Sequence, residues 1–161
     1  MAIEIERKFL VDSDWMSKLT VEKIVGKRTL AQGYLSIDPR RTVRVRTDSS
    51  NNTAFLTIKG AKTGLSCPEF EYEIPYSEGQ ELLDMCQYAV VKTRYLVQIY
   101  ALTWEVDVFH GNHEGLIMAE IELESEDTRV PTPMWVTKEV STDKRYTNLY
   151  LATHDPLNES T

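Results

Sequence analysis

Ile3-Glu4-Ile5-Glu6-Arg7-Lys8-Phe9, at the head of the chain, alternates apolar and ionic side chains with a period of two. In a β-strand successive side chains point to opposite faces. Glu4, Glu6 and Lys8 therefore share one row, and Ile3, Ile5 and Phe9 the other. The same division recurs downstream, and strands are expected near 2–11, 28–37, 42–48, 53–60, 68–76, 91–100, 102–110 and 116–125. Arg44 and Arg46 oppose Val43 and Val45, while Lys59 shares a row with Thr57 and Phe55, opposite Leu56 and Ile58. Glu69, Glu71 and Glu73 oppose Phe70, Tyr72 and Ile74. Lys92, Arg94 and Gln98 oppose Tyr95, Val97 and Ile99; Glu105 and Asp107 oppose Trp104, Val106 and Val108. In the last strand Glu120, Glu122 and Glu124 oppose Ala119, Ile121 and Leu123. The second strand is milder, with Gln32, Tyr34 and Ser36 as its polar side.

Turn chemistry joins these segments, at Asp38-Pro39, Asp48 through Asn52, Gly60 through Gly64 and Gly111-Asn112. Helical windows fall at 12–20, 78–89 and 144–153, the second opening with Glu78 and Glu81 after Ser77. Many short strands with few helices indicate a mainly β (α+β) chain, residues 1–161 forming one domain. With 161 residues the chain can bury a core without disulfide staples. A net charge of −7 argues against non-specific nucleic-acid binding, which needs a basic surface. No apolar run approaches eighteen residues and the N-terminus is too charged for a signal peptide. Cys67 and Cys86 form no C-x-x-C motif and read as two reduced thiols. A cytoplasmic protein without membrane or nucleic-acid partners is expected, as a monomer or homodimer.

The ionic rows admit two placements. In an ordinary antiparallel sheet they face water and the apolar rows form the core. Solvent faces, however, usually mix Thr, Ser, Gln and Asn with charges, whereas these rows are almost purely ionic. Their signs also segregate by strand: acidic on the first, fifth, seventh and eighth, basic on the third, fourth and sixth. The alternative is a closed eight-stranded antiparallel β-barrel, wide enough for one small ligand, with the charges lining a tunnel. Its apolar rows would then face outward, and three helical windows cannot cover them all. Buried unpaired ions cost several kcal/mol each, so such a lumen must answer its own charges. The rows hold ten acids against six bases, a surplus of four negative charges. Two divalent cations would offset it and leave the cationic groups to grip a polyanion.

Glu4-x-Glu6-x-Lys8 resembles the E-x-E-x-K opening of the CYTH superfamily, the triphosphate tunnel metalloenzymes. Arg44-Val45-Arg46, Leu56-Thr57-Ile58-Lys59-Gly60, Glu69-Phe70-Glu71-Tyr72-Glu73, Lys92-Thr93-Arg94-Tyr95 and Glu120-Ile121-Glu122 follow in the same order and make the match specific. The tail from Glu139 to Asn148, with Asp143-Lys144-Arg145-Tyr146, is similar to that of small bacterial members. The resemblance implies an eight-stranded tunnel with a few outer helices and a divalent-metal-dependent hydrolase of phosphoanhydride bonds, most simply of inorganic triphosphate. It also implies Glu4, Glu6, Glu120 and Glu122 as ligands for Mg²⁺ or Mn²⁺, two ions per site. Arg44, Arg46, Lys59, Lys92 and Arg94 would bind the substrate's phosphates, with Glu69, Glu71 and Glu73 beside them. Lys8, Glu6 and Lys92 would be catalytic, with Lys8 stabilising charge on the scissile phosphate, and Glu105, Asp107 and Tyr146 would support the site. The alternatives are a class IV-type adenylate cyclase, which shares the opening motif, a thiamine or nucleoside triphosphatase of the same family, and, as a non-enzyme, a polyphosphate- or nucleotide-binding module. Hydrolysis is preferred because no feature is dedicated to an adenine base. One departure stands out: small relatives often carry Ser-Arg before the fifth strand, where this chain has Ser66-Cys67-Pro68.

The remaining signals are bland. His110-x-x-His113 lies in a Gly-containing loop without a cysteine partner and is not read as a zinc site. Trp15, Trp104 and Trp135 are expected to pack rather than stack on bases. Tyr146, Tyr150 and Leu151 are expected either to cap one tunnel end or to pack a terminal helix on the wall.

Overall fold

The ionic rows turn inward, and the strands that carry them close on themselves. A computed structural model describes residues 3–156. Its strands are β1 (Ile3–Val11), β2 (Lys23–Ser36), β3 (Arg41–Asp48), β4 (Thr53–Gly60), β5 (Ser66–Ile74), β6 (Tyr88–Ile99), β7 (Leu102–Phe109), β8 (Ile117–Glu122) and β9 (Val136–Glu139). Helix α1 (Tyr76–Asp84) precedes β6, and α2 (Asn148–Thr153) ends the described chain. All pairings are antiparallel, in the order β5-β4-β3-β2-β6-β7-β8-β1. β5 then pairs back onto β1, with Ile3 opposite Pro68 and Ile5 opposite Ser66, so eight strands make a closed barrel without a free edge. The far end of β1 takes a ninth strand, β9, with Phe9 opposite Glu139.

With charges inside, the apolar rows need cover from outside. Around β6, β7, β8 and β1 the outward side chains Val97, Trp104, Val106, Ala119, Ile121 and Phe9 are buried together under Trp15 and Trp135. The rings of Trp104 and Trp135 meet at 6.0 Å, those of Trp15 and Trp135 at 5.9 Å, and those of Phe9 and Trp104 at 5.5 Å, within the range of favourable aromatic pairs. The three tryptophans are thus packing residues. On the opposite side α1 lies across β3 and β4, and its Leu83, with the following Cys86, reaches Gly33 of β2. Between these covers Ile3, Ile58, Phe70 and Tyr72 remain exposed on the outer wall, as expected from so few helices.

A second cluster lies inside. Val90, Phe109 and Met118 belong to inward rows at one end of the barrel, and Val140, Tyr146 and Leu151 close over them. Lys8 Nζ donates to the Tyr146 carbonyl at 3.2 Å, Lys92 Nζ to Asn148 Oδ1 at 3.1 Å, and the buried His113 bonds the Leu151 carbonyl through Nε2. Tyr146 and Leu151 therefore plug one end of the tunnel. His113, set in the short turn between β7 and β8, anchors that plug.

Several boundaries differ from the periodicity. β2 begins at Lys23 instead of residue 28, because a bulge between Ile24 and Gly26 breaks the alternation. The helical window at 12–20 shrinks to a 3₁₀ turn, Trp15–Lys18, at whose head Asp14 makes no side-chain cap. The window at 78–89 becomes Tyr76–Asp84. The last window splits into a 3₁₀ turn, Lys144–Tyr146, and α2, each held by its own cap: Asp143 accepts from the Arg145 amide and Thr147 from the Tyr150 amide. Glu124 falls beyond the end of β8 and is exposed, and Gln98 is exposed opposite Lys23, so neither joins the inner rows.

Gly79 lets α1 sit directly on the wall. A Cβ there would stand 2.5 Å from Ala54 Cβ and 3.2 Å from Thr47 Cγ2. Gly79→Ala should lift the helix and destabilise the fold by about 1–3 kcal/mol, despite the higher helix propensity of alanine. Thermal denaturation followed by circular dichroism should show a lowered Tm; an unchanged or raised Tm would mean the contact yields freely.

Candidate active site

Closure brings the charged strands together by sign. β4, β3, β2 and β6 are consecutive around the ring and present Lys59, Arg44, Arg46, Arg28, Lys92 and Arg94 to the lumen. β7, β8, β1 and β5 complete it with Glu105, Asp107, Glu120, Glu122, Glu4, Glu6, Glu69, Glu71 and Glu73. The tunnel thus has a basic wall and an acidic wall, with Lys8 as a cation set in the acidic one. Arg28 escaped the sequence reading because it precedes the bulk of the visible alternation in β2. Its register partner is Arg94, and it lines the open mouth with Leu30, Arg46, Asp48, Phe55 and Glu105.

Ion pairs link the two walls. Arg94 grips Asp107 bidentately, Nε to Oδ1 at 2.7 Å and Nη2 to Oδ2 at 2.9 Å, and reaches Glu105 at 2.7 Å with Nη1. Lys92 Nζ lies 2.8 Å from Asp107 Oδ2, both groups being 1% exposed. Lys59 bridges Glu4 at 2.8 Å and Glu69 at 3.3 Å. Lys8 Nζ stands 3.5 Å from Glu120. Glu71 accepts from Thr57 Oγ1 at 2.9 Å and is 3.9 Å from Arg46. Glu73 and Glu122 are more exposed and make no ion pair among the described residues, although Glu122 is paired in register with Glu6. Cys67, opposite Glu4, donates weakly to the Gly60 carbonyl, so no cation stands there.

These pairs do not cancel all the stress. Burial pushes Glu6 up to about 8, helped by Glu120 and Glu4. Glu120 is also raised by burial, but Lys8, Arg94 and Lys92 outweigh that and hold it well below the usual carboxylate range. Burial lowers Arg46, and the neighbouring Arg44 and Arg94 lower it further. Burial brings Lys92 down to about 8, with Asp107 opposing the shift and Arg94 adding to it. Each wall therefore holds a surplus of its own sign: carboxylates that a cation would relieve and guanidiniums that an anion would relieve. Buried Arg44 Nε and Glu120 Oε1 have no hydrogen-bond partner among the described residues.

The acidic wall suits a hard divalent cation, since Glu4, Glu6, Glu120 and Glu122 offer only oxygen donors. Among the described residues no three acidic, histidine or cysteine side chains are gathered into a cage. Mg²⁺ is commonly held by one or two carboxylates with substrate phosphates and water completing its shell, so a pair of these glutamates suffices. His110 and His113 are otherwise engaged, with Thr93 Oγ1 and the Leu151 carbonyl.

A closed β-barrel with opposed basic and acidic walls inside defines a tunnel protein built to hold a polyanion. Residues 2–156 match the CYTH domain model, and the chain belongs to the CYTH domain family. It is 44% identical over 151 residues to an inorganic triphosphatase of Acetivibrio thermocellus, covering 92% of each chain. It is 35% identical over 158 residues to an inorganic triphosphatase of Nitrosomonas europaea, covering 95% of this chain and 99% of the other. A crystal structure of an inorganic triphosphatase superimposes with a TM-score of 0.66 at 32% identity, over 98% of this chain and 99% of that one. No helix among the described residues is long and apolar enough to cross a membrane.

Because burial brings Lys92 down to about 8 in the free protein, a bound polyanion should help it keep its proton. Just above that pH, triphosphate binding without divalent metal should take up protons on Lys92 and on Glu6, and Lys92→Met should reduce the uptake without abolishing it. Calorimetry in buffers of different ionisation enthalpy reads this directly. A heat independent of buffer would show that neither Lys92 nor Glu6 changes its protonation on binding.

Proposed function

We propose that the chain is an inorganic triphosphatase, a divalent-metal-dependent hydrolase that cleaves one phosphoanhydride bond of a linear triphosphate. The observation that carries this reading is the division of one closed lumen into a cationic and a carboxylate wall, on a fold shared with relatives named inorganic triphosphatases. A phosphate chain would fit between two such walls, with the guanidiniums facing its oxygens and the carboxylates available to a divalent metal.

Phosphoryl transfer asks a protein chiefly for positioning and for charge where negative charge develops. Arg44, Arg46 and Arg94 supply planar forks for the non-bridging oxygens, and Lys59 adds a point charge from the next strand. Lys8 and Lys92 lie at the plugged end, both almost fully buried, where an ammonium acts in low dielectric on a phosphoryl group losing its bond. Tyr146 and Leu151 close that end against solvent, so the substrate meets protein groups there. Glu4, Glu6, Glu120 and Glu122 would hold Mg²⁺ or Mn²⁺; with Glu124 outside the tunnel and Arg28 inside it, the lumen keeps a surplus of two negative charges, which one divalent ion offsets. When bound, the metal neutralises phosphate oxygens and lowers the pKa of a coordinated water. Glu105 and Asp107 keep Arg94 and Lys92 in place. Hydrolysis is preferred to cyclisation because, among the described residues, the tunnel lining offers cations for a phosphate chain and no feature dedicated to an adenine base.

Phosphate release from triphosphate should require Mg²⁺ or Mn²⁺. It should fall by about 10²- to 10³-fold in Glu4→Ala and in Lys8→Ala, with circular dichroism showing both folded. ATP under the same conditions should yield no cyclic AMP. Full activity in folded variants would reject the assignment.

A further inference from the structure

Gln32 stands at the middle of the basic wall without a charge. It lies on β2 opposite Arg46 of β3 on one side and Val90 of β6 on the other, one diagonal step from Arg44 and Lys92. It is 0% exposed, yet neither Oε1 nor Nε2 of its carboxamide bonds a protein group among the described residues. A buried amide without partners weakens a fold, and native proteins rarely keep one without a reason. An apolar side chain of the same length would fit the neighbourhood, since Leu30 on the same strand face and Val90 across from it are buried. Another buried donor without a partner among the described residues, Arg44 Nε, belongs to the same wall.

We propose that Gln32 is a substrate-binding residue of the tunnel, donating Nε2–H to a non-bridging phosphoryl oxygen of the triphosphate beside Arg44 Nε–H, while Oε1 accepts from water. The inference rests on the triphosphatase reading. A neutral amide is the suitable choice at this place. The wall already crowds Arg44, Arg46, Lys92 and Arg94 together, and a fifth cation among them would raise their mutual repulsion in the free protein. An amide adds a directed donor at no cost in charge. The contact is made to a phosphoryl group in both the ground and transition states, so its loss should appear in KM more than in kcat.

Steady-state hydrolysis of triphosphate with Mg²⁺ should be compared for the native protein, Gln32→Met and Gln32→Glu, alongside thermal melts with and without triphosphate. Gln32→Met should raise KM by about tenfold to a hundredfold, as expected for a lost hydrogen bond to a charged group, and change kcat by no more than about threefold. Its melting temperature without ligand should equal or exceed that of the native protein, and the rise on adding triphosphate should shrink. Gln32→Glu, which keeps the shape and is held by Arg46, should raise KM further by repelling the phosphates; it decides the matter if the Met variant fails to fold. A native KM in either folded variant would overturn the assignment, as would a lower Tm with unchanged KM, which would mark Gln32 as structural. The wider reading fails separately. Native protein that is stabilised by triphosphate but does not hydrolyse it loses the enzyme and keeps Gln32 as a binding residue, provided that Gln32→Met loses the stabilisation. Native protein indifferent to triphosphate loses both.

Discussion

Every inward charge of a closed ring must be answered within the tunnel, and the Arg94–Asp107–Lys92 contact is where this chain meets the condition most fully. Two cations and one carboxylate, all almost fully buried, hold one another at 2.7 to 2.9 Å. Removing Asp107 would strand both cations in low dielectric, a change that typically costs about 3–5 kcal/mol. The triad joins β6 to β7, the seam at which the basic wall ends and the acidic wall begins. The Lys59 bridge to Glu4 and Glu69 joins the walls at the other seam, between β4 and the β5–β1 closure. Between the seams, like charges accumulate, and the raised Glu6 and lowered Arg46 record the strain.

That inversion dictates the rest of the molecule. An apolar exterior must be covered, and the chain does so unevenly, with three interlocked tryptophans on one flank and α1 on the other. The inner apolar groups Val90, Phe109 and Met118 mark the end at which the lumen stops being ionic, and there the C-terminal segment docks. Lys8 and Lys92 face both the plug and the acidic wall, through the Tyr146 carbonyl and Asn148 on one side and Glu120 and Asp107 on the other. The groups that would attend the reacting phosphoryl therefore also register the plug.

Much of this was legible in the residues. The period of two assigned Glu4, Glu6, Lys8, Arg44, Arg46, Lys59, Lys92, Arg94, Glu105, Asp107 and Glu120 to one row on each strand, and their ionic purity favoured a lumen. Which strands are neighbours was not legible, because pairing of β2 with β6 and of β1 with β5 spans long stretches of chain and leaves no local signal. The contiguity of the basic strands is a property of that pairing. Arg28 heads the strand expected at 28–37, separated by the apolar Leu30 from Gln32, which itself looked like one mild polar residue on the least charged strand. β9 has four residues without alternation of its own, and it exists because β1 runs on past its pairing with β5, leaving Phe9–Val11 open on that side, and because Arg7 offers Glu139 a partner at 2.7 Å. Glu124 and Gln98 continued the pattern in sequence after the strands had left the tunnel.

Orientation of the ionic rows is the claim on which all of this depends, and a crystal structure of the protein with a non-hydrolysable triphosphate analogue and Mg²⁺ tests it most directly. The analogue should lie inside the barrel, its oxygens on Arg44, Arg46 and Arg94 and its metal against the Glu4, Glu6, Glu120 and Glu122 side. An analogue bound on the outer surface, with the lumen filled by apolar side chains, would contradict the account.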